Sequence, residues 1–246
     1  MTEIAATPQK LYLLRLSTST VPLPSGRTLD MVLGCYLVEL SDGRHVLVDT
    51  GYPADAPPSP ALAQPENVTN VIEQLRDLGL SPQDIDFLIC THFDIDHVGY
   101  HDAFTRAELI VQREHYELAR SGHPRYSAAR AHWDHPALHY RLIEGDTEIL
   151  PGLTLIKTSG HTPAHQSVLV RLPRTGPVLL AIDAVMMQQL FTADRPASPA
   201  DDNAEQLVAS TTKLLELVER EAVALVIFGH DGQQWRTLRT APEYYE

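Results

Sequence analysis

Residues 87–97 read Phe-Leu-Ile-Cys-Thr-His-Phe-Asp-Ile-Asp-His. An apolar strand runs straight into four potential metal ligands, His92, Asp94, Asp96 and His97, within six positions. A strand end presents side chains from rigid backbone, and the loop beyond it lets residues on either side of the chain turn toward one point. Carboxylates crowded this closely repel one another unless positive charge lies between them. Imidazole nitrogen and carboxylate oxygen together suit zinc, iron or manganese. A single His or Asp at a strand end is more often an ordinary loop residue, so the weight rests on repetition. Residues 153–161, 178–183 and 225–230 are further apolar runs, and they end in His161, Asp183 and His230. Such a chain must fold so that several strands finish along one edge.

The rest of the sequence supplies the strands. Period-2 or continuous apolar runs predict strands over 11–16, 32–40, 45–48, 87–90, 109–112, 148–150, 153–158, 166–172, 178–182 and 222–228. Helical spacing predicts helices over 67–78, 113–120, 202–219 and 235–240. Asn67 is the expected cap of the first of these, and Val68, Val71, Ile72, Leu75 and Leu78 form its apolar stripe. Between 52 and 66 five prolines dictate a loop. Strands come first and helices are interspersed in both halves, an α+β pattern that two sheets stacked between helical layers would satisfy. The 246 residues are 43% hydrophobic, enough for a sizeable core in one domain spanning 1–246, and neither a repeat nor a break in composition divides them.

The net charge of −13 repels phosphate backbones and anionic lipids, so nucleic acid and membrane surfaces are not expected partners. A small neutral molecule is not disfavoured. The polar first ten residues lack a signal-peptide pattern, and nothing approaches the ~18 apolar residues of a membrane span. Cys35 and Cys90 lie in strand-like runs. One bridge between them is conceivable, but buried free thiols in a reducing cytoplasm fit better.

Taken with Asp49-Thr50-Gly51, these motifs resemble the metallo-β-lactamase superfamily, whose pattern is H-x-H-x-D-H followed by separated His, Asp and His. Residues 109–116, 143–152, 160–167 and 241–245 further resemble the N-acyl homoserine lactonases. The resemblance spans nearly the whole chain and implies a four-layer αβ/βα sandwich with metals at one edge between the sheets. It implies one metal held by His92, residue 94 and His161, a second held by Asp96, His97 and His230, and Asp183 as the bridge. Asp49 would orient a histidine ligand by accepting its other N–H. The implied cofactors are two divalent ions, zinc foremost. The implied activity is hydrolysis of a lactone, a small-molecule ester, by metal-activated water, with Asp183 and Asp96 as the acting carboxylates, in a protein that is a candidate homodimer. Another ester, a thioester or a phosphotriester is the alternative substrate, and a non-hydrolytic di-iron protein is the more distant one.

Two positions depart from the pattern. Asp94 replaces the second histidine; it either ligates directly, which is the preferred expectation, or ligates through water, or leaves the first metal weakly bound. An extra carboxylate lowers the positive charge of the site and shifts preference toward iron or manganese. Met186 stands where lactonases carry a substrate-contacting tyrosine, and Tyr100 and Tyr126 are candidate substitutes. Trp133, Tyr126 and Tyr140 either line an acyl pocket or pack a loop onto the core. His132, His135 and His139 read as a surface segment or lid, His165 as support for the strand start or for a ligand. No catalytic part is expected of His45, His101, His115 or His123.

Overall fold

A computed structural model describes residues 5–22, 26, 28–56, 66 and 68–246. In chain order the elements are β1 (Pro8–Pro22), β2 (Thr28–Leu40), β3 (His45–Val48), α1 (Val71–Asp77), β4 (Phe87–Ile89), α2 (Ile95–Val98), β5 (Glu108–Gln112), α3 (Arg113–Arg120), α4 (Arg130–Trp133), β6 (His139–Ile143), β7 (Thr147–Leu150), β8 (Leu153–Lys157), β9 (Gln166–Leu172), β10 (Gly176–Ile182), α5 (Ala204–Arg220), β11 (Leu225–Phe228) and α6 (Gly232–Trp235). The first sheet runs β1-β2-β3-β4-β5-β6 and the second β11-β10-β9-β8-β7.

Alternation along the strands builds the layers, because successive side chains leave a strand on opposite faces. Val32, Tyr36 and Val38 of β2 face the second sheet, where they meet Val168, Val170, Val178 and Leu180. Cys35 and Leu37 face the other way, onto Val71 and Leu75 of α1 and Ala119 of α3. On the second sheet, Leu169, Leu179 and Ala181 turn outward onto Leu214 and Leu217 of α5. Helices, sheet, sheet and helix form the four expected layers. Each fully buried Val or Leu contributes about 1.5–3 kcal/mol, so the three apolar interfaces dominate the stability.

Strand direction then decides where the site lies. β3 and β4 run parallel. β8 and β10 are each antiparallel to β9, and β10 is parallel to β11. The C-terminal ends of β8, β10 and β11 therefore share one edge of their sheet, and those of β3 and β4 share one edge of the other.

Element ends depart from expectation at a few points. The cap expected at Asn67 lies outside the described residues, as do residues 57–65 of the proline loop. α1 starts at Val71, and Asn70 caps it: the Asn70 side chain accepts from the Glu73 N–H at 3.0 Å, and Glu73 accepts from the Asn70 N–H at 3.3 Å. Val68 precedes the helix and is 67% exposed, so it is not part of the apolar stripe. Asn203 caps α5 at 2.9 Å, which leaves Asp201 and Asp202 outside the helix. Residues 222 and 223 close α5 rather than open β11, with the Val223 N–H bonded to the Val218 carbonyl, and the Ala224 N–H then bonds across to the Pro177 carbonyl of β10. The last helix ends at Trp235 instead of beginning there; Asp231 caps it, and the Trp235 ring packs beneath Gly34, where a Cβ would lie 2.3 Å from the indole. Cys35 and Cys90 are buried free thiols. Among the described residues, no helix is long and apolar enough to cross a membrane.

Candidate metal centre

The sequence-predicted residues converge. Asp49 follows β3, His92 follows β4 by three residues, and Asp96 and His97 lie in α2. His161 follows β8, Asp183 comes directly after β10, and His230 lies two residues past β11. Two groups of donor atoms gather within 4.8 Å of one another, His92, His161 and Asp183 in one and Asp96, His97 and His230 in the other. Asp183 lies between them. Its Oδ2 is 3.4 Å from His161 Nε2, and its Oδ1 is 3.1 Å from His230 Nε2 and 3.6 Å from His97 Nε2.

All four imidazoles are aimed the same way because each Nδ1 is engaged elsewhere. His97 Nδ1 donates to Asp49 Oδ2 at 2.9 Å, His161 Nδ1 to Asp201 Oδ1 at 2.9 Å, and His230 Nδ1 to the Val32 carbonyl at 2.9 Å. The Thr91 hydroxyl gives its proton to Asp49 Oδ2 at 2.7 Å, so its oxygen accepts from His92 Nδ1 at 3.0 Å. Fixing Nδ1–H leaves the Nε2 lone pair of each ring pointing inward, the tautomer a metal requires. Asp49 thus aligns two rings, one directly and one through Thr91.

The donor set fits metal ions. His92 Nε2, His97 Nε2 and Asp183 Oδ1 are buried without a hydrogen-bond partner, an arrangement that costs free energy unless something else satisfies them. The local charge demands a cation. Burial lowers the proton affinity of His97, but Asp96, Asp183 and Asp49 outweigh it and drive the ring up to about 10. Burial likewise opposes protonation of His161, yet the Asp201 and Asp94 carboxylates push it up to about 9. His92, with burial and the neighbouring His97 against protonation, falls to about 3. Despite its burial, Asp183 is held well below the usual carboxylate range by His230 and His97.

Supporting contacts surround this arrangement. His165 Nδ1 lies 2.9 Å from Thr158 Oγ1, and its Nε2 accepts from the Asp183 N–H at 3.3 Å, the supporting place expected of it. Ile182 has φ 52°, a strained conformation for a β-branched residue. Gly229 permits it: a Cβ there would lie 2.7 Å from the Ile182 carbonyl oxygen and 2.9 Å from Asp183 Oδ1. His115, given no part by the sequence, clips two loops together. Its Nε2 accepts from the Phe93 N–H at 2.8 Å, and its Nδ1 donates to the Pro163 carbonyl at 2.6 Å. Met186 uses its carbonyl to accept from the His230 N–H at 2.9 Å.

Asp94 is the main surprise. Its Oδ2 lies 3.5 Å from His92 Nε2 and 3.2 Å from His161 Nε2, where the sequence puts a ligand, but both its oxygens are held by Arg125. Nε donates to Oδ1 at 2.7 Å and Nη2 to Oδ2 at 2.6 Å. Nη1 donates to Asp202 Oδ1 at 2.7 Å. The guanidinium offsets part of the negative charge of Asp94 while sharing its own charge with Asp202. Nothing in the local pattern around Arg125 signalled this, since its partners lie 31 and 77 positions away.

None of the remaining candidates belongs to either donor group, although the buried Tyr126 lies within electrostatic reach of Asp94, Arg125 and Asp202. Tyr126 and Trp133 are buried core residues beneath the first sheet, with Trp133 Nε1 donating to the Tyr126 carbonyl at 3.0 Å and Tyr140 bonding the Trp133 carbonyl. Of their two readings, packing is the one the structure supports. Tyr100 is half-buried near Thr50. His132 joins Asp102 at 3.0 Å and Asp55 at 3.1 Å, whereas His135 and His139 are exposed.

Two sheets between helical layers, with paired His and Asp groups at their common edge, define a class that comparison with known proteins identifies. The model of the metallo-beta-lactamase superfamily matches residues 35–230, and the chain belongs to that superfamily. Within it, the chain is 35% identical over 236 residues to an N-acyl homoserine lactonase of a Bacillus species, covering 90% of each protein. It is 34% identical, with the same coverage, to N-acyl homoserine lactonase AiiA of Bacillus thuringiensis subsp. kurstaki. The solved structure of an N-acyl homoserine lactone hydrolase, with the product N-hexanoyl-L-homoserine at its catalytic metal centre, superimposes with a TM-score of 0.85. That match has 31% identity and covers 97% of this chain and 100% of the other.

Proposed function

We propose that the chain is a metal-dependent lactonase that opens the ring of N-acyl homoserine lactones, acting as one catalytic domain and thereby silencing signals of that class. The observation that carries this reading is the pair of donor groups with Asp183 lying between them; the lactonase relatives supply the substrate class. His92 and His161 would hold one divalent ion and Asp96, His97 and His230 the other, with an oxygen of Asp183 for each and zinc as the leading ion. Two such ions would supply an acidified water and an electrophile for the ester carbonyl oxygen.

The chain's own residues do the rest. Asp49, Thr91, Asp201 and the Val32 carbonyl fix the rings before substrate arrives, so no reorganisation is needed during the reaction. Asp96, with its side chain 32% exposed, is the group that can meet both the centre and solvent. It takes the proton of the attacking water and passes it to the departing alkoxide. Oxygen adds to the carbonyl carbon, the ring C–O bond breaks, and a hydroxy acid leaves. Met186 cannot donate a hydrogen bond to the substrate oxygen, so positioning there falls to other groups.

The test is ring opening of N-hexanoyl homoserine lactone followed by proton release, beside an aryl ester and a phosphotriester, on protein loaded separately with zinc, cobalt, manganese and iron. Turnover of the lactone well above the other two is expected. Selective turnover of the phosphotriester or aryl ester would replace this substrate class, and inactivity on all three with metal bound would remove the hydrolase reading.

A further inference from the structure

We propose that Arg125 competes with the metal ion for the His92–His161 half of the centre, so that the two halves fill unequally. This rests on the metal reading above. Arg125 holds Asp94 in a two-pronged pair and reaches Asp202 with its third nitrogen. Its Nη2 also lies 3.1 Å from His161 Nε2. That contact is the informative one. His161 Nδ1 faces Asp201, and Nε2 faces Asp94 Oδ2 at 3.2 Å as well as the guanidinium. A metal ion at His161 must approach Nε2 from that same side, where Arg125 Nη2 already stands. An ion entering this half must therefore move the guanidinium aside.

The incoming ion also finds Asp94 already paired. A two-pronged guanidinium–carboxylate pair is among the strongest charge-assisted contacts, and here it is largely shielded, with side chains 20% and 16% exposed. The other half carries no such rival. Among the described residues, Asp96 pairs only with His97 and His230, and no guanidinium or ammonium reaches those rings. The Asp96–His97–His230 half is accordingly the tight site, filled first. The other half is the weak one, with Arg125 the residue that sets its affinity. This gives aspartate at position 94 a consequence of its own: it holds two prongs of Arg125 beside His161, whereas a histidine there could not form that pair and would leave Arg125 with Asp202.

The experiment is a zinc titration of the metal-stripped full chain against a competing chelator, reading stoichiometry and affinity rather than activity. The unaltered chain is expected to show two classes of bound ion differing by at least about tenfold, since groups that contact metal-binding side chains shift metal affinity by about 10- to 100-fold. Arg125→Gln removes the cation and should tighten the weaker class by about tenfold or more while leaving the tighter class in place, which also reports that the variant is folded. Arg125→Lys keeps the charge without the fork and should fall between. Two equal classes in the unaltered chain, or an unchanged or weakened second class in Arg125→Gln, would overturn the proposal while leaving two-metal binding intact. Failure to take up any zinc would overturn the metal reading itself and this proposal with it.

Discussion

Asp49 reaches two rings from one carboxylate, and its backbone adopts φ 59° to do so, a conformation that Asp tolerates better than most residues. Asp49→Asn would lose the ionic acceptor of both His97 and Thr91. Zinc affinity is expected to drop by about 10- to 100-fold, measured by chelator competition, with the circular dichroism spectrum retained; unchanged affinity would mean the rings are held by packing alone. His101 gives a different residue-scale expectation. It is fully buried, and burial, followed by the charges of His97 and His132, holds it down to about 3 against an ordinary 6.5. Below pH 6.5 the unfolded chain binds a proton there that the folded chain refuses. This contribution to stability is therefore complete above pH 6.5 and is lost as pH falls toward 3, at up to about 1.4 kcal/mol per pH unit. Urea unfolding of metal-stripped protein at pH 7.5 and 5 should show a smaller acid loss in His101→Leu than in the unaltered chain. An identical loss in both would assign the acid sensitivity to other groups.

At the scale of elements, the strand-to-loop junctions carry the geometry. Gly229→Ala would drive a Cβ into the Ile182 carbonyl and Asp183 Oδ1, so β10 and β11 could not keep their register at the site. Lower thermal stability together with weaker zinc binding is expected, and a variant that lost neither would show that the β10–β11 corner can relax. Asn70→Ala instead removes one cap of a helix that contributes no member of either donor group. A loss of about 1 kcal/mol with zinc affinity unchanged should appear in denaturant unfolding and the same titration. These elements also show what was legible. Alternation of apolar residues gave nearly every strand, and strand ends with the loop after β4 gave the six side chains of the two donor groups, because both signals are local. Caps were misplaced by a few residues because Asn67, Asn70, Asp202 and Asn203 are all chemically able to cap; packing chose among them. With α5 starting at Ala204, Asp201 and Asp202 meet His161 and Arg125, contacts between residues 40 and 77 positions apart that no periodicity encodes.

For the molecule as a whole, the centre joins the two sheets: His92, Asp96 and His97 come from the first, His161, Asp183 and His230 from the second. An ion that binds only when the sheets are docked stabilises the docked state by mass action. Raising free zinc from one to one hundred times the dissociation constant should therefore lift the thermal midpoint steadily, and excess chelator should lower it. A midpoint indifferent to zinc would show that the ion does not bind the docked state in preference to the unfolded chain. The layer order was readable from the strand pattern and the resemblance together. Arg125 was not, since an arginine in a polar stretch has the same appearance whether it faces water or a carboxylate.

The split origin of the donors has a consequence for biosynthesis. A ribosome makes His97 long before residue 230 exists, so neither donor group is complete in the emerging amino-terminal half: His92 still lacks His161 and Asp183, and Asp96 and His97 still lack His230.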